Sequence, residues 1–240
     1  ETNLFVGSSL VDMYMKCESL VIAHRVFDML PFRDVVSWNI LILGYTDSGN
    51  AEEALQCFLN MQEEDRVCPS DGTYVCVLKA CSSIRAIEKG QEIHGDIERK
   101  GWSRAYALIG NSLVDMYAKC GSLREAQFLF DRISSRDAIL WNSLISGYAD
   151  LKYVSDTLRC LEQMQLEGIF PNTATLVCGL NACGVVGALG RGQEIHLEIE
   201  RQGLTMGDPV IGNALIDMYA KCGALGKARD VLIGLPRQDV

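Results

Sequence analysis

The chain has 240 residues, enough for one large domain, two small ones or one continuous repeat array. It carries 22 Lys and Arg against 31 Asp and Glu, a net charge of −9, and 48% of its residues are hydrophobic. That balance argues against a polybasic nucleic-acid tail, against polybasic membrane attachment and against disorder.

Read from the N-terminus, the first landmark is SLVDMYMKCESL at residues 9–20, followed by SWN around Trp38 and GQEIH from Gly90. The series then begins again. SLVDMYAKCGSL occupies 112–123, LWN surrounds Trp141, GQEIH returns from Gly192, and ALIDMYAKCGAL fills 214–225. Met13, Met116 and Met218 are spaced by 103 and 102 residues, and Trp38 and Trp141 by 103. The one-residue excess falls where EEDRVCPS is longer than LEGIFPN. A third of that period is about 34 residues, the length of one helix-turn-helix unit.

Apolar spacing predicts the helices within each unit. Leu113, Val114, Met116, Tyr117 and Cys120 share one helical face, Gly121 breaks the run, and Leu123, Ala126, Leu129, Phe130 and Ile133 form a second face. Leu144, Ile145 and Tyr148 precede Leu158, Leu161 and Met164 in the same way, and residues 177–199 repeat the pattern. Pro31, Pro69, Pro171 and Pro236 fall just after predicted second helices, where they stop a helix at no cost. One such hairpin cannot bury its apolar face alone, so the expected fold is all-α, a right-handed α-solenoid of about seven stacked helix-turn-helix repeats.

Charges interrupt every apolar stretch well short of the ~20 residues a bilayer span requires, so no membrane partner is expected. The ten cysteines include no Cys-x-x-Cys; the nearest neighbours, Cys76/Cys81 and Cys178/Cys183, stand five apart, wider than zinc-ligand spacing. In apolar helical runs they read as small buried hydrophobes, and no metal or other cofactor is expected. His94 and His196 share one register and read as packing residues, whereas His24 stands alone. His196-Leu197-Glu198 matches the H-x-E of zinc nucleobase deaminases, but no Pro-Cys-x-x-Cys follows to hold the metal. The chain opens on Glu1 without a Met or an apolar leader and reads as a piece of a longer protein.

NALIDMYAKCGAL, FDRISSRDAILWNSLISGYA and GQEIHGDIERKG together resemble the pentatricopeptide repeat proteins of land plants, in the subclass that alternates P, L and S repeat variants. The resemblance spans the chain. It implies S-type repeats at 4–34, 107–137 and 209–239, P-type repeats at 35–70 and 138–172, and L-type repeats at 71–106 and 173–208.

That family binds single-stranded RNA, roughly one base per repeat, through the fifth residue of the first helix and the last residue of the repeat. The resemblance implies base-selecting pairs Ser8 with Asp34, Asn39 with Ser70, Asn111 with Asp137, Asn142 with Asn172, and Asn213 with Asp239. The L-type repeats offer Val75 with Tyr106 and Val177 with Asp208, and a valine cannot read a base edge by hydrogen bonding. An ionised Asp only accepts, which suits the imino N–H of U or G; Asn both donates and accepts, which suits C or A and tolerates U. The implied sequence, 5′ to 3′, is G, C, any, U, C or U, any, U.

The family's second helical position packs on base faces, here Phe5, Val36, Leu108, Ile139 and Val210. Lys16, Lys119 and Lys221 share a register where family members contact phosphate, while Asp47 and Asp150 occupy the matching P-type positions and are expected to repel it. The resemblance further implies a non-enzymatic recognition array of a C-to-U editing or other RNA-processing factor in chloroplast or mitochondrion, with other such proteins as partners. The competing expectation is a helical scaffold for protein partners, favoured by the negative charge.

Overall fold

The apolar spacing produces helices throughout. The structure, a computed structural model, describes residues 2–100, 106–204 and 208–235, with the side chains of 2–4 and 106–108 outside the description. Among the described residues there are fourteen α-helices and no strand. They fall into two compact units, Glu1–Ser134 and Ser135–Val240.

The first unit contains α1 (Thr2–Lys16), α2 (Leu20–Asp28), α3 (Val35–Asp47), α4 (Ala51–Glu63), α5 (Asp71–Ile84), α6 (Ile87–Arg99), α7 (Tyr106–Lys119) and α8 (Leu123–Arg132). Odd helices stack on one another, α1 on α3, α3 on α5 and α5 on α7. Each of α2, α4 and α6 packs on the odd helix before it and the one after it, and no even helix packs on another even helix. The odd helices therefore form a continuous layer and the even helices a second, more open one, the arrangement of an α-solenoid.

The second unit repeats this scheme with α9 (Ala138–Asp150), α10 (Val154–Leu166), α11 (Thr173–Val186), α12 (Leu189–Arg201), α13 (Pro209–Lys221) and α14 (Leu225–Gly234). Here α9, α11 and α13 stack as the odd layer.

Each hairpin turn contains one residue with left-handed backbone: Glu18, Gly49, Arg85, Gly121, Lys152, Gly187 and Gly223. Only that conformation closes the helix end so quickly that the next helix can fold back. Gly121 and Gly187 adopt it without penalty; Glu18, Arg85 and Lys152 adopt it with a Cβ, at φ 56, 55 and 61°.

The core is built from the residues that the spacing marks. Leu113, Val114, Met116 and Tyr117 on α7 and Ala126, Leu129 and Phe130 on α8 are buried, as are Trp38, Trp141 and Tyr219. Phe27 meets Trp38 edge to face at 4.6 Å, joining α2 to α3. Gly90 and Gly192, the first residues of the two GQEIH motifs, leave room for the sulfur of Met116 and of Met218, on which an added Cβ would fall. Cys57, Cys76, Cys81, Cys160 and Cys183 are buried as expected, but Cys17 and Cys68 are exposed because both lie in connecting segments rather than on an apolar helix face.

The expectation that His24 stands alone is corrected. His24 Nδ1 meets Tyr45 Oη at 2.8 Å, as His94 meets Tyr117 at 2.9 Å and His196 meets Tyr219 at 2.8 Å. Each bond joins an even helix to the odd helix that follows. The shared role escaped the register test because the His24 to Tyr45 step is 21 residues, against 23 for the other two.

Candidate nucleic-acid interface

The residues singled out from the resemblance sit at the two ends of odd helices. Asp34, Ser70, Asp137 and Asn172 each immediately precede an odd helix and cap it. Asp34 accepts the Ser37 N–H at 2.8 Å, Ser70 that of Thr73 at 3.3 Å, Asp137 that of Leu140 at 2.8 Å and Asn172 that of Thr175 at 3.1 Å. Asp208, last in its L-type repeat, caps α13 through the Val210 N–H at 2.9 Å. These side chains satisfy backbone donors that a helix start leaves orphaned. One side-chain oxygen of each is used in capping.

The fifth-position residues lie one turn into the odd helices. Asn39, Asn111 and Asn142 are half-buried, Asn213 is exposed, and Ser8 is 8% exposed. Val75 and Val177 are half-buried. Two reading pairs come into direct or one-residue contact. Asn39 Nδ2 donates to Ser70 Oγ at 3.4 Å. Asn142 and Asn172 meet at the hydroxyl of Thr175, which lies against Oδ1 of both and has one proton to give. Sequence reasoning missed this threonine and its counterpart Thr73; the signal was a cap residue followed three positions later by Thr, at Ser70–Thr73 and Asn172–Thr175. Asp239 lies outside the described residues, and so do the side chains of Leu108 and Tyr106.

The second-position residues are large, apolar and turned to solvent: Phe5 is 78% exposed, Val36 59%, Ile139 65% and Val210 57%. A side chain of this kind finds no protein partner, yet it recurs at the same place on α1, α3, α9 and α13. In the first unit a groove of about 420 Å³ opens between α1, α3 and α5, lined by Lys16, Val36, Asn39, Asp47 and Gly72 among others. It brings Lys16, Val36 and Asn39, to which the resemblance assigns phosphate contact, base packing and base selection, onto one surface.

Electrostatics there are more balanced than the sequence suggests. Lys16, Lys119 and Lys221 each pair with the aspartate four residues earlier, Asp12 at 2.6 Å, Asp115 at 2.9 Å and Asp217 at 2.6 Å. Asp47, expected to repel phosphate, is itself paired with Lys79, whose Nζ lies 2.6 Å from Asp47 Oδ1. The residue in Lys79's register 102 positions on is Asn181, and Asp150 has no ion pair among the described residues.

Among the described residues no group of three or more His, Cys, Asp or Glu side chains is placed to hold a metal ion. Burial pushes the Cys57 and Cys81 thiols up to about 12, so neither ionises near neutral pH. Burial likewise raises the Tyr45 and Tyr117 phenols to about 12. With the phenol O–H donating to Nδ1, the histidine Nε2 carries the proton and faces Asp28, Glu98 or Glu200 at 3.7–3.8 Å. Three copies of one arrangement at three helix junctions describe packing.

Comparison with known proteins gives a consistent result. The PPR repeat family matches residues 33–83, and the PPR repeat matches 111–137, 139–169 and 213–240, together more than half of the chain. The chain is 36% identical over 239 residues to a mitochondrial pentatricopeptide repeat-containing protein of Arabidopsis thaliana, covering 100% of this chain and 23% of that protein. It is 40% identical over 220 residues to a chloroplastic one from the same plant, covering 92% of this chain and 27% of the relative. The chain thus spans about a quarter of the length of these relatives. Among solved structures, maize pentatricopeptide repeat protein PPR10, in complex with an 18-nt psaJ RNA element, has the same fold. The TM-score is 0.58 at 18% identity, covering 97% of this chain and 40% of that one.

Proposed function

Because the chain belongs to the pentatricopeptide repeat family, we propose that it is an RNA-recognition array whose odd helices hold one unpaired nucleotide per hairpin. The observation that carries this reading is the groove between α1, α3 and α5, where Lys16, Val36 and Asn39 meet. Val36 supplies an apolar face for a base, Asn39 is the reading position of its repeat, and Lys16 supplies a positive charge for the backbone. PPR10, which shares the fold, is described in complex with RNA.

In this reading the repeats have the boundaries and P, L and S order given by the resemblance. Ser8, Asn39, Asn111, Asn142 and Asn213 select bases together with Asp34, Ser70, Asp137, Asn172 and Asp239. Phe5, Val36, Leu108, Ile139 and Val210 pack on base faces, and Lys16, Lys119 and Lys221 neutralise phosphate. The array directs a processing or C-to-U editing event in chloroplast or mitochondrion, acting with other proteins of that machinery. Relatives named mitochondrial and chloroplastic support the compartment.

Selection from a random single-stranded RNA pool tests the reading. Enrichment of G-C-N-U-Y-N-U, with N any base and Y a pyrimidine, is the expected result. A pool that stays random, while the chain retains a protein partner, would instead identify a protein scaffold.

A further inference from the structure

Two odd helices begin with a cap residue and a buried threonine in the third helical position. On α5 these are Ser70 and Thr73; on α11 they are Asn172 and Thr175. Thr73 is 0% and Thr175 1% exposed. Each threonine touches the cap residue that closes one reading pair, and Thr175 also touches the fifth-position amide.

The two networks hold their asparagine through different hydroxyls, Ser70 on α5 and Thr175 on α11. On α5 the Thr73 N–H and Asn39 Nδ2 both donate to Ser70 Oγ, at 3.3 and 3.4 Å, and the Ser70 N–H donates to Thr73 Oγ1 at 3.0 Å. Ser70 Oγ has spent its two lone pairs, so its own proton goes to Thr73 Oγ1, 3.1 Å away. Asn39 is thereby held with Nδ2 inward, and its Oδ1 is buried without a partner among the described residues. On α11 Asn172 Oδ1 is pinned by the Thr175 N–H at 3.1 Å and cannot exchange places with its Nδ2 without loss of the cap. The Thr175 hydroxyl lies 2.8 Å from that oxygen and also against Asn142 Oδ1.

A threonine hydroxyl has one proton to give. Donated to Asn142 Oδ1, it leaves Nδ2 as the outward end of that amide; donated to Asn172 Oδ1 at 2.8 Å, it leaves an oxygen lone pair to Asn142 Nδ2 and turns Oδ1 outward, and in both cases the hydroxyl fixes which end faces out. Without the hydroxyl nothing distinguishes the two ends, and Asn142 turns to suit either base. We propose that Thr175 is a positioning residue that orients the Asn142 amide and so sets the C-or-U choice at this repeat. The inference rests on the RNA-recognition reading and deepens it. Cytosine offers a bare ring N3 to an N–H donor, whereas uracil carries a proton there. The small apolar space left by the missing hydroxyl, as in Thr175→Val, keeps the backbone N–H that Asn172 caps.

The test uses the full chain and single-stranded RNAs of the sequence G-C-A-U-Y-A-U that differ only at the fifth nucleotide, C or U. Unaltered protein and Thr175→Ser should share one preference, for C or for U, of at least fivefold. Thr175→Val should bring the C:U affinity ratio close to 1, a loss of at least fivefold, without moving the preference for U at the fourth nucleotide. If thermal melting shows that Thr175→Val is unfolded, Thr175→Ala gives the same comparison. An unaltered chain with no preference between C and U, or a hydroxyl-free variant that keeps the preference, overturns the inference. Asn142→Ser separates the two levels. If it moves the fifth nucleotide towards a purine while Thr175→Val changes nothing, the recognition reading stands and the positioning role falls; if it changes nothing either, the reading itself fails.

Discussion

At the scale of single residues, the histidines show how a repeat can imitate a catalytic site. His94 sits between the Tyr117 phenol and Glu98, with Arg132 near, and His196 between Tyr219 and Glu200, with Lys227 near. Burial lowers the pKa of both rings from the ordinary 6.5, more than the neighbouring glutamates raise it. A histidine whose folded pKa is depressed binds its proton more readily when unfolded, so folding stability rises with pH across that window. The contribution is complete above about pH 6.5 and declines below it, as the unfolded chain takes up protons that the folded one refuses. Urea midpoints measured at pH 7.5 and 5.5 should therefore fall with acidification, and a His94→Gln, His196→Gln double variant should show a smaller fall. An equal fall in both proteins would assign the acid sensitivity to other groups. Only partial legibility was available at this scale: the shared register of His94 and His196 was visible, but the partner tyrosines stand on the next helix and no linear pattern names them.

At the scale of the element, the helices were legible almost residue by residue because each hairpin's apolar face is dictated by 3.6-residue spacing, as in Leu113 to Tyr117 and Leu144 to Tyr148. The hairpin turns were legible only where glycine marks them. Lys152 occupies the same left-handed position as Gly49, with φ 61° against 78°, and carries a Cβ there. Lys152→Gly should stabilise the chain by about 0.5–1 kcal/mol, since relief of the ~1–2 kcal/mol left-handed penalty exceeds the added flexibility of the unfolded chain. A denaturation midpoint that falls would show that the lysine compensates elsewhere. The cap residues are given two functions in the RNA-recognition reading, helix capping and base selection, that sequence alone could not separate. Asp137 holds the Leu140 N–H at 2.8 Å, so Asp137→Ala should cost about 1 kcal/mol, whereas Asp137→Asn keeps the cap and should cost almost nothing. That difference makes the asparagine variant suitable for testing readout without disturbing the helix.

At the scale of the whole molecule, a net charge of −9 opposes any polyanion, so binding must rest on a few local contacts. Lys16, Lys119 and Lys221 are held by Asp12, Asp115 and Asp217, exposed pairs of a kind worth about 0.3–0.5 kcal/mol each and easily exchanged for phosphate. With about three phosphates neutralised, log affinity for single-stranded RNA should fall against log salt with a slope near −2. Replacing the three aspartates by asparagine should raise affinity roughly 5- to 10-fold at low salt, the sum of three such pairs. A slope steeper than about −4 would reveal basic contacts beyond these lysines. The aspartate partners were readable in DMYxK, an i,i+4 spacing, but their effect on the lysines emerges only once both side chains are placed on one helix face. The central claim is that each hairpin addresses one nucleotide, and the most direct measurement is the affinity of Asp137→Asn for RNAs varied at the fourth nucleotide alone. The account predicts a change of preference from U towards C at that nucleotide, with the other six unaffected. An unchanged preference, or a change spread over several nucleotides, would contradict it.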